Sequence, residues 1–224
     1  MIRAGEMDGV VFDMDGVIFD SETLGIKAWK VIADRYGFED IETVAMKCIG
    51  RSTKDTMAII KESYGEDIDI DKLYAECRAA MKDIIRENHG IPKKPGAVEL
   101  LSWLREKGIK VALASSTSYR TVVEELTEAG LRDYFEVIVG GDMIENSKPE
   151  PDIYLMACEK LGVRPENTIA VEDSRNGIIS AYRAGMKAVL VPDLIEPDEE
   201  MLKMAYTKLS SLTELRERLS ETGI

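Results

Sequence analysis

Short apolar, β-forming runs recur along the chain and alternate with segments of helical periodicity. The runs are residues 9–12, 111–114, 137–139, 168–171 and 188–191. Strands that are apolar throughout are buried on both faces, and their alternation with helices is typical of a parallel sheet covered by helices on both sides. The pattern therefore predicts an α/β core.

The helices between these runs carry recognisable apolar faces and stop signals. One predicted face contains Tyr154, Leu155, Cys158 and Leu161 at helical spacing. Four helices are followed by a glycine and then an apolar residue, which predicts a left-handed C-cap at each glycine. These glycines are Gly108, Gly130, Gly162 and Gly185.

A long helical segment interrupts the alternation after the first run. Asp13 directly follows that run, but the next one begins only at Val111. Residues 21–89 show helical periodicity almost throughout, and Trp29 falls among their apolar positions. We expect an all-helical cap domain, residues 20–89, inserted into an α/β core of residues 1–19 and 90–224.

Composition excludes several classes of protein. The 29 basic and 42 acidic side chains give a net charge of −13, which disfavours nucleic-acid and anionic-membrane partners. No apolar run approaches the roughly 18 residues of a membrane span, and the first residues do not resemble a signal peptide. We expect a cytoplasmic protein, and nothing in the sequence indicates a protein partner.

The cysteines and the histidine narrow the possible chemistry. Cys48, Cys77 and Cys158 are widely spaced without a C-x-x-C pair, which favours core positions over a disulfide or a zinc site. His89 is the sole histidine, so a catalytic triad or a histidine-rich metal site would have to include this one residue. Catalysis is expected to depend on carboxylates.

Polar residues lie after the predicted strands, at the edge where the carboxyl ends of a parallel sheet meet. Ligands of open α/β sheets bind beyond these ends, so we expect the polar groups to face one site. Carboxylates suit Mg²⁺ or acid–base work, and hydroxyl and backbone N–H groups suit a tetrahedral oxyanion. The residues are Asp13, Asp15, Ser115, Ser116, Lys148, Glu172 and Asp173. Taken singly, the acids and serines are also typical of turns and helix caps, and the lysine is typical of a solvated loop.

Together these motifs resemble the haloacid dehalogenase superfamily of phosphohydrolases. The matching segments are Asp13-Met14-Asp15-Gly16, Ser115, Lys148 and Glu172-Asp173. The helical insertion after the first motif and the run DGVIFDSE are similar to the β-phosphoglucomutase-like phosphatases with a helical cap. The resemblance implies a Rossmann-like core and a Mg²⁺-dependent phosphatase acting on a small phosphorylated metabolite, with sugar phosphates as the first candidates.

The resemblance also implies a role for each residue. Asp13 would attack phosphorus to form an aspartyl phosphate, and Asp15 would act as general acid and then base. Mg²⁺ would be bound by the Asp13 carboxylate, the Asp15 backbone carbonyl and Asp173, with Glu172 in direct contact or behind these ligands. Ser115, Ser116 and Lys148 would hold the phosphoryl oxygens. Glu22, Arg51 and Lys54 are candidate substrate contacts from the cap.

A phosphosugar mutase of the β-phosphoglucomutase type is the main alternative. That enzyme has a histidine three residues before an Ala-Trp pair, and the corresponding position here, before Ala28-Trp29, is Gly25. Its phosphate-binding arginine falls on Thr53. These two differences favour hydrolysis over phosphate transfer between sugar positions.

Two non-enzymatic alternatives are more remote. A phosphoaccepting receiver domain also combines acids, a hydroxyl, a lysine and Mg²⁺ on a parallel sheet, but receivers have neither a helical insert nor a paired D-x-D. A binding protein that has lost its activity is disfavoured because all four motifs are intact.

Overall fold

The computed structural model of the protein describes residues 7–49 and 53–221. The strands are β1 (Gly9–Phe12), β2 (Lys110–Ser115), β3 (Val137–Gly140), β4 (Thr168–Glu172), β5 (Lys187–Leu190) and β6 (Thr207–Lys208). The helices are α1 (Ser21–Tyr36), α2 (Ile41–Cys48), α3 (Thr53–Tyr64), α4 (Ile70–Glu87), α5 (Ala97–Glu106), α6 (Tyr119–Glu128), α7 (Asp152–Leu161), α8 (Arg175–Arg183), α9 (Glu199–Met204) and α10 (Leu212–Glu221).

The strands form one sheet in the order β3-β2-β1-β4-β5-β6, and every neighbouring pair is parallel. The α/β fold with a parallel Rossmann-like sheet, predicted from the sequence, is thereby confirmed. From β1 the chain builds β2 and β3 on one side and β4 to β6 on the other. Strand β1 is therefore the point where the strand order reverses, which is where open α/β sheets bind their ligands.

Both faces of the sheet are buried, as the uninterrupted apolar runs predicted. One face presents Val11, Ala112 and Ala170 to a core that includes residues of α7 and α8. Their neighbours Val10 and Val111 point to the opposite face and are also buried. The four predicted C-cap glycines all have left-handed backbone, with φ between 65° and 77°.

The chain divides into two compact units, Met1–Phe19 with Lys93–Ile224, and Asp20–Pro92. In its described part, the second unit consists of α1 to α4 around a core of its own, which includes Trp29, Ile32, Ile60 and Leu73. Trp29 is buried there, as its spacing predicted. The role of this unit as a cap over a substrate stays a prediction.

Three details refine the sequence-based expectations. The cysteines are buried and free, which confirms their expected core positions. Leu155, which we expected on the buried face of α7, is 42% exposed. The buried face of this helix is formed instead by Ile153, Tyr154, Ala157, Cys158 and Leu161. Among the described residues, none of the helices is apolar over the length that a membrane crossing requires.

Candidate active site

The candidate site lies where the carboxyl ends of three adjacent strands meet. Asp13 directly follows β1, Ser115 is the last residue of β2, and Glu172 ends β4 with Asp173 next to it. Since β1 lies between β2 and β4, the sheet order brings these residues to one edge. The backbone N–H of Asp13 donates to the carbonyl of Val171 at 3.0 Å, which extends the pairing of β1 with β4 as far as the site.

Lys148 connects two of the acids. Its Nζ donates to Oδ1 of Asp13 at 2.6 Å, to Oε1 of Glu172 at 2.7 Å and to the carbonyl oxygen of Ala114 at 3.1 Å. The side chain is only 6% exposed. An ammonium group has three donors, and all three are used here. Lys148 is therefore a fixed buried cation and not a solvated loop residue.

Glu172 accepts hydrogen bonds at both of its oxygens and is completely buried. Besides Lys148, its Oε1 accepts from the hydroxyl of Tyr154 at 2.6 Å. Its Oε2 accepts from the hydroxyl of Ser174 at 3.1 Å and from the backbone N–H groups of Asp173 at 3.2 Å and Ser174 at 3.4 Å. Glu172 thus holds Lys148 on one side and the turn into α8 on the other.

Two glycines allow the backbone to approach these acids closely. Gly16 has φ of +76°, and a Cβ built there would lie 2.2 Å from Oδ2 of Asp173. At Gly177, in the first turn of α8, a Cβ would lie 1.9 Å from the carboxyl carbon of Glu172. Any side chain larger than hydrogen would displace the carboxylates, so both glycines are required by the site.

The electrostatic balance around Asp13 is dominated by its burial. Burial raises the pKa of Asp13 to about 8, although the charge of Lys148 opposes this and the charges of Glu172 and Asp15 add to it. Burial alone would lower the pKa of Lys148, but Asp13 and Glu172 outweigh it and hold that pKa above its usual range. Lys148 therefore stays cationic, yet it does not by itself keep Asp13 ionised at neutral pH.

Three of the buried acids are grouped closely enough to bind one metal ion. Asp13, Glu172 and Asp173 each place a carboxylate oxygen within 4.8 Å of the others. All three are at most 8% exposed, and Lys148 supplies a single positive charge among them. An oxygen-only donor set with excess negative charge suits Mg²⁺, which is a hard cation. Because the oxygens of Glu172 already receive several donors, Asp13 and Asp173 fit the ion better.

The remaining predicted residues of the α/β unit lie around this cluster. Oδ2 of Asp15 accepts a hydrogen bond from the hydroxyl of Thr117 at 3.3 Å, which links the first motif to the turn after β2. Ser115 is buried, and its Oγ accepts from the backbone N–H of Thr117 at 3.1 Å. Ser116 follows it and is exposed. The contacts of these serines with a phosphoryl group stay a prediction.

The predicted substrate residues of the cap belong to the other compact unit. Glu22 lies in the first turn of α1 and is partly buried. Lys54 lies in α3, where only the backbone is described, and Arg51 is outside the described residues. Their roles as substrate contacts stay predictions.

The sequence analysis missed two residues that interact with the residues of this site. Tyr154 was read only as part of an apolar helix face, but it is completely buried, its hydroxyl bonds Glu172, and its ring lies 5.0 Å from Nζ of Lys148. Glu125 of α6 is half-buried, and burial, followed by the charge of Asp15, raises its pKa to about 7. A tyrosine at a core position was the only sequence signal for the first, since a buried hydroxyl needs a partner.

Comparison with known proteins agrees with this geometry. The family model described as haloacid dehalogenase-like hydrolase matches residues 10–191. The chain is 34% identical over 187 residues to a phosphorylated carbohydrates phosphatase of Thermotoga maritima, covering 82% of this chain and 84% of that protein. It is 38% identical over 124 residues to hexitol phosphatase B of Escherichia coli K12, covering 55% and 56%. The crystal structure of β-phosphoglucomutase from Clostridium difficile superimposes with a TM-score of 0.76 at 27% identity, covering 96% of both chains.

Proposed function

Since the chain belongs to the haloacid dehalogenase-like hydrolase family, we propose that it is a Mg²⁺-dependent phosphatase of small phosphomonoesters that works through an aspartyl phosphate. The observation that carries the proposal is the buried cluster in which Lys148 joins Asp13 to Glu172, with Asp173 beside them. The cluster combines a nucleophile, a fixed cation and a metal-binding acid at the switch point of the sheet.

Asp13 is the proposed nucleophile. Lys148 holds its Oδ1 at 2.6 Å and so fixes the orientation of the carboxylate. A carboxylate oxygen attacks phosphorus, and the bond from phosphorus to the substrate oxygen breaks as the new bond forms. Lys148 remains beside the transferred group, where its charge stabilises the phosphoryl oxygens.

Asp15 is the proposed general acid and base. It is less buried than Asp13, and the hydroxyl of Thr117 holds its Oδ2. In the first step it donates a proton to the departing alcohol oxygen. In the second step it accepts a proton from water, which attacks phosphorus and releases phosphate from Asp13. The same residue thus serves both half-reactions, and the enzyme returns to its starting state.

Mg²⁺ would be held by the carboxylates of Asp13 and Asp173 and by the backbone carbonyl of Asp15, where it would supply positive charge to the phosphoryl oxygens. The acidic cluster supports this proposal, because it brings three carboxylates together, two of which share the charge of Lys148. We assign Glu172 to the position behind these ligands, because its oxygens are occupied by the donors from Lys148, Tyr154 and Ser174.

A phosphorylated sugar or sugar alcohol is the proposed substrate class. The names of the two curated relatives refer to phosphorylated carbohydrates and to hexitols. With a net charge of −13, the protein repels anions at long range, so binding depends on the local cations of the site. We further propose that the unit Asp20–Pro92 is a cap that excludes bulk water from the reaction, which favours small substrates, and that the enzyme acts in the cytoplasm.

A phosphosugar mutase is the second candidate function. It is supported by the structural similarity to the β-phosphoglucomutase from Clostridium difficile. A mutase must bind a second phosphate and protect its aspartyl phosphate from water. The presence of Gly25 and Thr53 at the two positions discussed above supports hydrolysis instead.

The deciding experiment is a Mg²⁺-dependent screen of phosphorylated sugars, hexitol phosphates and phosphoglycolate, scored for free phosphate. It includes β-glucose 1-phosphate with the 1,6-bisphosphate, scored also for isomerised product. Net phosphate release without isomerisation supports the phosphatase, and isomerisation with little release supports the mutase.

The matched variants are Asp13→Asn and Asp133→Asn, since Asp133 is an exposed acid of the same unit. Asp13→Asn should abolish turnover of the best substrate, whereas Asp133→Asn should leave it unchanged. Near-normal hydrolysis by Asp13→Asn would contradict the assigned nucleophile.

A further inference from the structure

A buried carboxylate beside the proposed metal site lacks a partner for one of its oxygens. Asp193 lies just beyond β5, and its side chain is only 5% exposed. Its Oδ1 accepts from Nζ of Lys94 at 2.5 Å. Its Oδ2 is buried and has no hydrogen-bond partner among the described residues. A buried carboxylate oxygen without a hydrogen-bond donor lowers the stability of the fold. An unpaired oxygen at this place therefore indicates that it accepts a hydrogen bond from a ligand.

The unpaired oxygen lies near Gly16, as does an oxygen of the proposed metal-binding acid Asp173. Oδ2 of Asp193 lies 3.3 Å from the point where a Cβ of Gly16 would be, and Oδ2 of Asp173 lies 2.2 Å from the same point. Strand β5 is the neighbour of β4 in the sheet, and the N–H of Val191 donates to the carbonyl of Glu172 at 2.8 Å. The loop after β5 is therefore held against the end of β4, and Asp193 and Asp173 both approach Gly16.

Carboxylate oxygens that approach the same point repel each other unless positive charge or hydrogen-bond donors lie near them. Lys94 is bound to the other oxygen of Asp193, and Lys148 is bound to Asp13 and Glu172. Mg²⁺ typically keeps several of its water molecules when proteins bind it, and those waters are strong hydrogen-bond donors.

We propose that Asp193 is an outer positioning residue of the metal site, whose Oδ2 accepts a hydrogen bond from the hydration shell of the ion bound at Asp13 and Asp173. The inference rests on the proposed Mg²⁺ site and adds to it a residue from the loop after β5. The ion pair with Lys94 compensates the negative charge of Asp193 at Oδ1 and leaves Oδ2 as the acceptor. Residues that orient such a shell typically contribute 10–100-fold to metal affinity.

The test is a calorimetric titration of the full-length protein with MgCl₂, without substrate, so that the readout is independent of turnover. Asp193→Asn should weaken Mg²⁺ binding about 10–100-fold. Lys94→Met is the matched control, because it breaks the same ion pair but keeps the carboxylate. Because this variant leaves the negative charge of Asp193 uncompensated, it should bind Mg²⁺ at least as tightly as the natural protein.

A double variant covers the case in which a single change prevents folding. Lys94→Met with Asp193→Leu replaces the pair by apolar groups, a change that buried ion pairs often tolerate, and it should fold and show the same weakened Mg²⁺ binding as Asp193→Asn. Unchanged affinity in the double variant overturns the inference, as does equal weakening by Lys94→Met and Asp193→Asn. If the natural protein itself does not bind Mg²⁺, the proposed function fails at its metal site, which is a different result from either of these.

Discussion

Removing the hydroxyl of Tyr154 tests how the cluster around Lys148 is held together. In the Tyr154→Phe variant the ring stays in its buried position, but Oε1 of Glu172 loses the donor that lies 2.6 Å away. A hydrogen bond to a charged group contributes about 1.5–3 kcal/mol to stability. In a protein of this size about 1 kcal/mol corresponds to a change in melting temperature of 2–4 °C, so the variant should melt about 3–12 °C lower.

The same change should affect turnover through Lys148. Once Tyr154 no longer donates to Oε1 of Glu172, that oxygen attracts Lys148 more strongly, and the hold of Lys148 on Asp13 weakens. We expect kcat to fall about tenfold, which corresponds to about 1.4 kcal/mol in the barrier, while KM changes little. A purely structural role would lower the melting temperature and leave kcat of the folded protein unchanged.

The assays are differential scanning calorimetry and steady-state phosphate release on the substrate found by the screen. Tyr182→Phe is the matched control, since Tyr182 is 56% exposed on α8 and should change neither quantity. If Tyr154→Phe melts at the same temperature as Tyr182→Phe, the hydroxyl does not contribute the expected stability and the reasoning is refuted. A lower melting temperature with normal kcat would refute only the positioning role.

Three further predictions follow from the same geometry. Lys148→Met should lower kcat about 10²–10³-fold, because the phosphoryl oxygens lose a fixed cation, and initial rates of phosphate release check this. Gly177→Ala should destabilise the protein by about 1–3 kcal/mol in urea unfolding, because the new Cβ overlaps the carboxyl group of Glu172. The control Gly25→Ala should be neutral or stabilising, because no atom lies within 4 Å of its Cβ position. Between about pH 6 and pH 8 the metal-free protein should lose stability as pH rises, because native Asp13, with its pKa of about 8, keeps a proton that the unfolded chain releases near 3.8. Urea midpoints should show this slope flattened in Asp13→Asn and in the presence of Mg²⁺, and an unchanged slope in both would contradict the burial argument.

Local patterns predicted most of the α/β unit correctly. The apolar runs became β1 to β5, and the glycines after four helices adopted the left-handed conformation that their positions required. Both signals depend on neighbours along the chain, which is why the sequence reveals them. Strand β6 (Thr207–Lys208) was missed because it has only two residues and no apolar run, and it exists through pairing with β5.

The sequence by itself determined which residues end the strands, and therefore that acids, a hydroxyl and a lysine lie at one edge of a parallel sheet. Tertiary structure alone decided how they are paired. The three acceptors of Lys148, the hydroxyl of Tyr154 on Glu172 and the approach of Asp193 to Asp173 join segments that are distant in the chain. Such contacts depend on strand order and on how the helices pack on the sheet. Periodicity within a single segment predicts neither the strand order nor the packing.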